Sequence, residues 1–196
     1  MAGLLYPLQP AQMLPLPTLE NPQGAASYKG EILPVVEESG LVTACAPRSY
    51  IHSGVKLMHP VVHLHIINRK GELYLQKRSP KKDLYPGRWD TAVGGHVAYG
   101  ESLLEALYRE SSEELGLYDF NPVFIKDYVY ESDTEKELVN VYACVGYFKI
   151  SPDGEEVSEG RFWTEKEIGD SFEKSIFTPN FESEYPMVRK DLEALL

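Results

Sequence analysis

GGHVAYGESLLEALYRESSEELGL, residues 94 to 117, places Glu110, Glu113 and Glu114 within two helical turns of a chain that already holds 30 acidic residues against 19 basic ones. The stretch predicts a helix with marked ends. Ser102 followed by Glu105 is a capping box, and Gly116 suits the left-handed position that closes a helix. At 100° per residue, Leu103, Leu104, Leu107, Tyr108, Ser111 and Leu115 share one arc, which is expected to face the core. The three glutamates fall on the adjoining arc, with Arg109 just beyond. Carboxylates about 6 Å apart repel by roughly 2 to 3 kcal/mol per pair at an effective dielectric of about 20, whereas a helix-surface pair with Arg109 returns only about 0.3 to 0.5 kcal/mol. A solvated acidic face is the plain alternative. A divalent cation is the reading in which all three groups stay ionised and their crowding becomes useful.

Working outward, the chain alternates strand and helix signals. "ILPVVEESGLVTACAP" from Ile32 reads as a hairpin, and "VVHLHIINRKGELYLQKR" as a strand at 61–67, a turn at 68–71 and a strand at 72–78. Residues 94 and 95 are glycines leading into the helix. Further strands are expected at 123–130, at 138–150 and around Phe162. Thr164 with Glu167 is a second capping box, and "EYPMVRKDLEALL" predicts a closing helix with Pro186 in its first turn. Strands interleaved with helices give a mixed α/β domain with helices packed on a sheet.

Residues 1–28 carry Pro7, Pro10, Pro15, Pro17 and Pro22 without helical or strand period. They are expected to form a Pro-rich extension lying along a surface, and to offer a homodimer contact, while 29–196 form the folded domain. No basic segment precedes the apolar start, and no apolar run approaches the roughly 18 residues of a membrane span, so a cytoplasmic protein is expected, with no membrane partner. A net charge of -11 opposes nucleic-acid binding. Cys45 and Cys144 each sit in an apolar stretch and are expected as buried, reduced thiols.

The spacing Gly95, Glu101, Arg109, Glu110, Glu113, Glu114, Gly116 and Leu117 resembles the signature of the Nudix hydrolase family. Ser111 departs from it, standing where the family carries an apolar residue. The resemblance implies an α/β/α sandwich with a mixed sheet and hydrolysis of a small diphosphate compound, such as a nucleoside diphosphate derivative, with Mg²⁺ or Mn²⁺. It also implies that the Gly95 carbonyl, Glu110, Glu113 and Glu114 hold metal, while Glu101 and Arg109 fix the loop against the helix. Oxygen-only ligands suit those hard cations.

Residues 59–97 resemble, within the same superfamily, the isopentenyl-diphosphate isomerase branch. That likeness puts His52, His59, His96, Glu135 and Glu137 at the positions of the isomerase's metal ligands, implying a second set for Mn²⁺, Zn²⁺ or Mg²⁺. Gly94 stands where the isomerase has its catalytic cysteine, and Asn180 where it has a tryptophan. Moving protons on an allylic carbon needs two positioned acid-base groups, so hydrolysis is favoured over isomerisation. A non-catalytic ligand-sensing module is a third reading. His63 and His65 share a strand face and are read as packing residues.

Lys77, Arg78, Lys81, Lys82 and Arg88 concentrate positive charge ahead of the glycine loop and would draw in phosphates, with Arg78, Arg88 and Lys82 the substrate-binding candidates. Tyr85, Trp89, Phe162, Trp163, Phe177 and Phe181 could line a pocket or stack on the substrate, with Trp89 the substrate-binding candidate, against the alternative that these aromatics are core.

Overall fold

The computed structural model describes the backbone of residues 12–13 and the whole of residues 30–82 and 84–196. The expected extension, 1–28, lies outside the described residues except for Gln12–Met13. That pair forms a short strand, β1, running parallel to β3 with Gln12 opposite Ala44. The hairpin expected from Ile32 is present as β2 (Ile32–Val36) and β3 (Val42–Pro47), which pair antiparallel. A short helix, α1 (Arg48–Tyr50), and a π-helical turn at Ile51–Val55 then carry the chain to the main sheet.

That sheet is built on β4 (His59–Ile67), every residue of which is buried. A strand covered on both faces reads as a continuous apolar run, and here two histidines, His63 and His65, interrupt it. β4 pairs in parallel with β9 (Lys136–Val145) along its full length. Its other edge is shared. The first half takes β7 (Val93–His96), and only Ile66 and Ile67 pair with β5 (Leu73–Arg78), so the expected 61–78 hairpin is joined at its turn and splays beyond it. The splay leaves room for Gly94, Gly95 and His96 beside β4. β6 (Trp89–Asp90) runs along β5, β10 (Val157–Trp163) lies outside it, and β8 (Val123–Glu131) forms the far edge. The sheet is mixed. β9 ends at Val145, short of the expected 150, where the Gly146 N–H donates to Ile67 O and the chain turns away.

One face of the sheet, with Val62, Leu64 and Ile66, packs on α2 (Leu103–Leu115). The other, with Val61, Val139 and Val141, packs on α3 (Glu165–Ser171) and α4 (Pro179–Glu193) through Ile168, Phe181, Val188 and Leu192. The result is the α/β/α sandwich expected. Both capping boxes form, at Ser102 and at Thr164, and Gly116 closes α2 at φ 58°. α4 starts earlier than predicted: Thr178 is its N-cap and Pro179 its first residue, so Pro186 lies in the interior. Its missing N–H costs one backbone bond.

α2 is turned about its axis relative to the expected arc. Leu104 and Tyr108 are 41% and 37% exposed, while Ala106 and Glu114 are buried beside Leu103, Leu107, Ser111 and Leu115. This rotation carries Glu110 and Glu114 inward towards the glycine loop. Ser111 does face the core, and its hydroxyl is buried without a hydrogen-bond partner. Cys45 and Cys144 are buried free thiols. No helix among the described residues is long and apolar enough to cross a membrane.

Candidate active site

Gly95 sits in β7 directly against α2. A methyl group there would stand 2.2 Å from Glu110 Cδ, so the absence of a side chain is what lets the carboxylate lie on the loop. Arg109 ties the two together. Its Nε and Nη2 donate to the two oxygens of Glu101 at 2.8 and 2.9 Å, Nη2 also donates to His96 O at 3.0 Å, and Nη1 donates to Glu110 Oε1 at 2.8 Å. Glu101 Oε2 in turn accepts from the Ala98 N–H at 3.0 Å. A bidentate guanidinium–carboxylate pair fixes geometry as well as charge, and loop and helix are locked in one register.

The three α2 carboxylates have different surroundings. Glu114 is 5% exposed and accepts a hydrogen bond from Gln76 Nε2 of β5, a contact that no sequence pattern signalled. Burial, then the Glu110 charge, hold its carboxyl well above the usual range. Glu110 is also raised by burial, against the opposing pull of Arg109. Glu113 has a side chain 60% exposed and takes only a 3.3 Å bond from Arg109 Nη1. Two inward carboxylates that water no longer solvates, joined at the loop by the Gly95 backbone, suit a hard cation.

The second set converges as well. Among the described residues, His52, His59 and His96 present ligand atoms within 4.8 Å of one another. His59 Nδ1 lies 3.1 Å from Leu57 O, a contact that requires the proton on Nδ1 and leaves Nε2 with a lone pair; that Nε2 is buried without a partner. His52 Nδ1 pairs with Glu135 Oε1 at 2.5 Å, and its Nε2 faces His96 Nε2 at 3.0 Å. Burial lowers the pKa of both His59 and His96, which keeps their rings neutral and able to ligate. Glu137 Oε1 stands 4.0 Å from His59 Nε2, with its pKa raised to about 7 by burial. An orphaned imidazole nitrogen, whose tautomer is set by a carbonyl behind it, fits a metal ligand.

The basic residues are partly engaged. Arg78 Nε donates to Leu84 O at 3.1 Å and its Nη1 lies 3.6 Å from Asp90 Oδ2; Arg88 Nη1 donates to Phe177 O at 3.3 Å. Lys82 pairs with Glu156 and is an electrostatic neighbour of Glu114. Trp89 is a correction. Instead of offering a face to a substrate it is 9% exposed in the core, edge-on to Trp163, with Lys77 and Arg161 near its ring. Trp163, Phe177 and Phe181 are core too. Glu184, which the sequence did not mark, is fully buried, meets His63 and accepts from Tyr128, and Asp90 is an electrostatic neighbour of the same His63 ring.

Residues 57–181 match the family model of the NUDIX domain. The chain belongs to the Nudix family. Among curated Nudix relatives, an isopentenyl-diphosphate Delta-isomerase of Clavibacter sepedonicus is 27% identical over 143 residues, covering 70% of this chain and 75% of its own. An uncharacterised Nudix hydrolase of Streptomyces coelicolor is 30% identical over 168 residues, covering 85% and 92%. A Deinococcus radiodurans crystal structure superposes with a TM-score of 0.69 at 23% identity, over 81% of this chain and 99% of that one, and shows the Nudix fold. By family the chain is a Nudix enzyme of the pyrophosphohydrolase class.

Proposed function

We propose that this Nudix enzyme hydrolyses the pyrophosphate linkage of a small diphosphate compound, with Mg²⁺ or Mn²⁺ held by the Gly95 carbonyl, Glu110, Glu113 and Glu114. The observation that carries the reading is the pair of inward carboxylates, Glu110 and Glu114, pressed against a loop that only glycine permits. When bound there, such an ion neutralises phosphate oxygens and lowers the pKa of an attacking water. Glu101 and Arg109 act by position, clamping loop to helix. Arg78, Arg88 and Lys82 supply positive charge towards the anionic substrate, offsetting the acidic field of the chain. His52, His59, His96, Glu135 and Glu137 form the second metal set.

A second reading, isopentenyl-diphosphate isomerisation, is favoured by the convergence of that histidine set and by relatives of that name. Against it, position 94 carries no side chain to move a proton. Incubation of nucleotide, sugar and isoprenoid diphosphates with Mg²⁺ or Mn²⁺, products identified by mass, separates the two. Phosphate-containing fragments support hydrolysis, and deuterium uptake from D₂O into isopentenyl diphosphate without cleavage supports isomerisation. We further propose a cytoplasmic enzyme whose domain, 29–196, dimerises through the 1–28 extension. Sedimentation of the full chain against a chain lacking 1–28 tests this, and a full-length monomer refutes it.

A further inference from the structure

One buried ionisable group has no part in the chemistry proposed above. His63 and His65 of β4 face α4, where the fully buried Glu184 meets both: His63 Nδ1 lies 2.7 Å from Glu184 Oε2 and His65 Nε2 lies 2.7 Å from Oε1. Tyr128 donates its hydroxyl to the same Oε2 at 2.9 Å. With Nδ1 committed to the carboxylate, the edge of His63 left for any other contact is Nε2. Burial alone would lower this imidazole, but Glu184 outweighs it and holds the pKa at about 9, so the ring is cationic near neutrality.

The Nε2 edge looks onto Gly94. β4 and β7 set His63 directly opposite Gly94, and a Cβ on Gly94 would stand 3.6 Å from Nε2. Gly94 is itself exposed, and the His63 side chain keeps 9% of its surface open. The missing side chain at 94 thus opens a window on a carboxylate-anchored imidazole, one residue before the Gly95 carbonyl. Asp90 and Glu137 are electrostatic neighbours of the same ring. A hydrocarbon group entering here would cover the polar Nε2 edge of a charged imidazole and give no hydrogen bond back. A hydroxyl-bearing group would accept a hydrogen bond from Nε2–H.

We propose that the organic group attached to the diphosphate is hydrophilic, a sugar or ribose, and that His63, held by Glu184, is a specificity-determining residue that hydrogen-bonds it through Nε2 at the Gly94 window. The inference rests on the hydrolase reading and deepens it. The test uses the full chain with Mn²⁺ and three probes, ADP-ribose, UDP-glucose and dimethylallyl diphosphate, measuring kcat and KM for the native enzyme, His63→Gln and Gly94→Val. The second variant covers the window while leaving the His63–Glu184 pair in place. Native enzyme should favour one or both of the hydroxyl-rich probes. Each variant should lose about 10- to 100-fold in kcat/KM on them, chiefly through KM, as expected for a hydrogen bond to a charged group, with little change on dimethylallyl diphosphate. Preference of the native enzyme for dimethylallyl diphosphate would overturn the proposal while leaving hydrolysis standing, and so would equal losses on all probes. Cleavage of no probe, together with failure across the wider diphosphate screen, would remove the hydrolase reading and the inference with it.

Discussion

The His63–Glu184 pair makes the stability of the fold depend on pH in a direction that can be worked out. His63 rises from 6.5 to about 9 on folding, with Glu184 as the cause that overcomes burial. A raised folded pKa means that the stabilisation is fully present below about 6.5 and fades as pH climbs through 9. Glu184 is held far below the carboxylate range, burial being outweighed by His63 and His65, so its share is present above about 4.5 and is lost in acid. The pair therefore contributes most between about pH 4.5 and 6.5. The difference for His63 corresponds to about 3 kcal/mol of preference for the imidazolium in the folded state, at 1.36 kcal/mol per pKa unit. Urea unfolding at matched ionic strength should show native stability falling by about 2 to 3 kcal/mol from about pH 6 to about pH 9.5, with an unchanged slope on denaturant. Glu184→Gln should be less stable at about pH 6 by on the order of 3 kcal/mol, because it leaves buried imidazoles without a charge partner, and should lose most of the pH slope. Parallel profiles for the native chain and Glu184→Gln would refute the reasoning.

Three shorter predictions follow from the site. Ser111→Ala removes a buried hydroxyl that has no partner and should raise the stability by about 1 kcal/mol, read as an increase in Tm; a lower Tm would mean that the hydroxyl is bonded after all. Gly95→Ala puts a methyl group into the space of Glu110 and should reduce kcat/KM at least 100-fold, whereas a fully active variant would show that the carboxylate need not lie on the loop. Arg109→Lys keeps the charge and loses the fork that grips Glu101, so activity should fall about 10-fold or more with near-native circular dichroism; rescue of full activity by lysine would make charge alone sufficient.

What could be read in advance depended on how local its cause is. α2 with both its ends, the second capping box and the β2–β3 hairpin are written in residues within a few positions of each other, and the sequence shows them. The face of α2 is set at longer range: its apolar arc points to Leu104 and Tyr108, but the loop at Gly95 and the Gln76 amide meet Glu110 and Glu114, which lie inward instead. The start of α4 was hidden by Pro186, which looked like a first-turn proline while Thr178 and Pro179 supplied the actual cap. Trp89 was open to a stacking or a core reading because an aromatic beside a loop looks the same in sequence either way, and its packing against Trp163 is made by residues far along the chain. The Glu184 network was invisible because His63 and His65 lie 121 and 119 residues before Glu184. Within β4, the pair His63 and His65 on the apolar run 61–67 was the available sign that some distant carboxylate must meet them.

The central claim, that the acidic helix and its glycine loop seat a dication, is tested most directly by anomalous diffraction from crystals grown with Mn²⁺. The account predicts an ion in contact with the Gly95 carbonyl, Glu110, Glu113 and Glu114, and a second among His52, His59 and His96. Crystals showing manganese elsewhere, with Glu110 still on Arg109 and Glu114 still on Gln76, would contradict it.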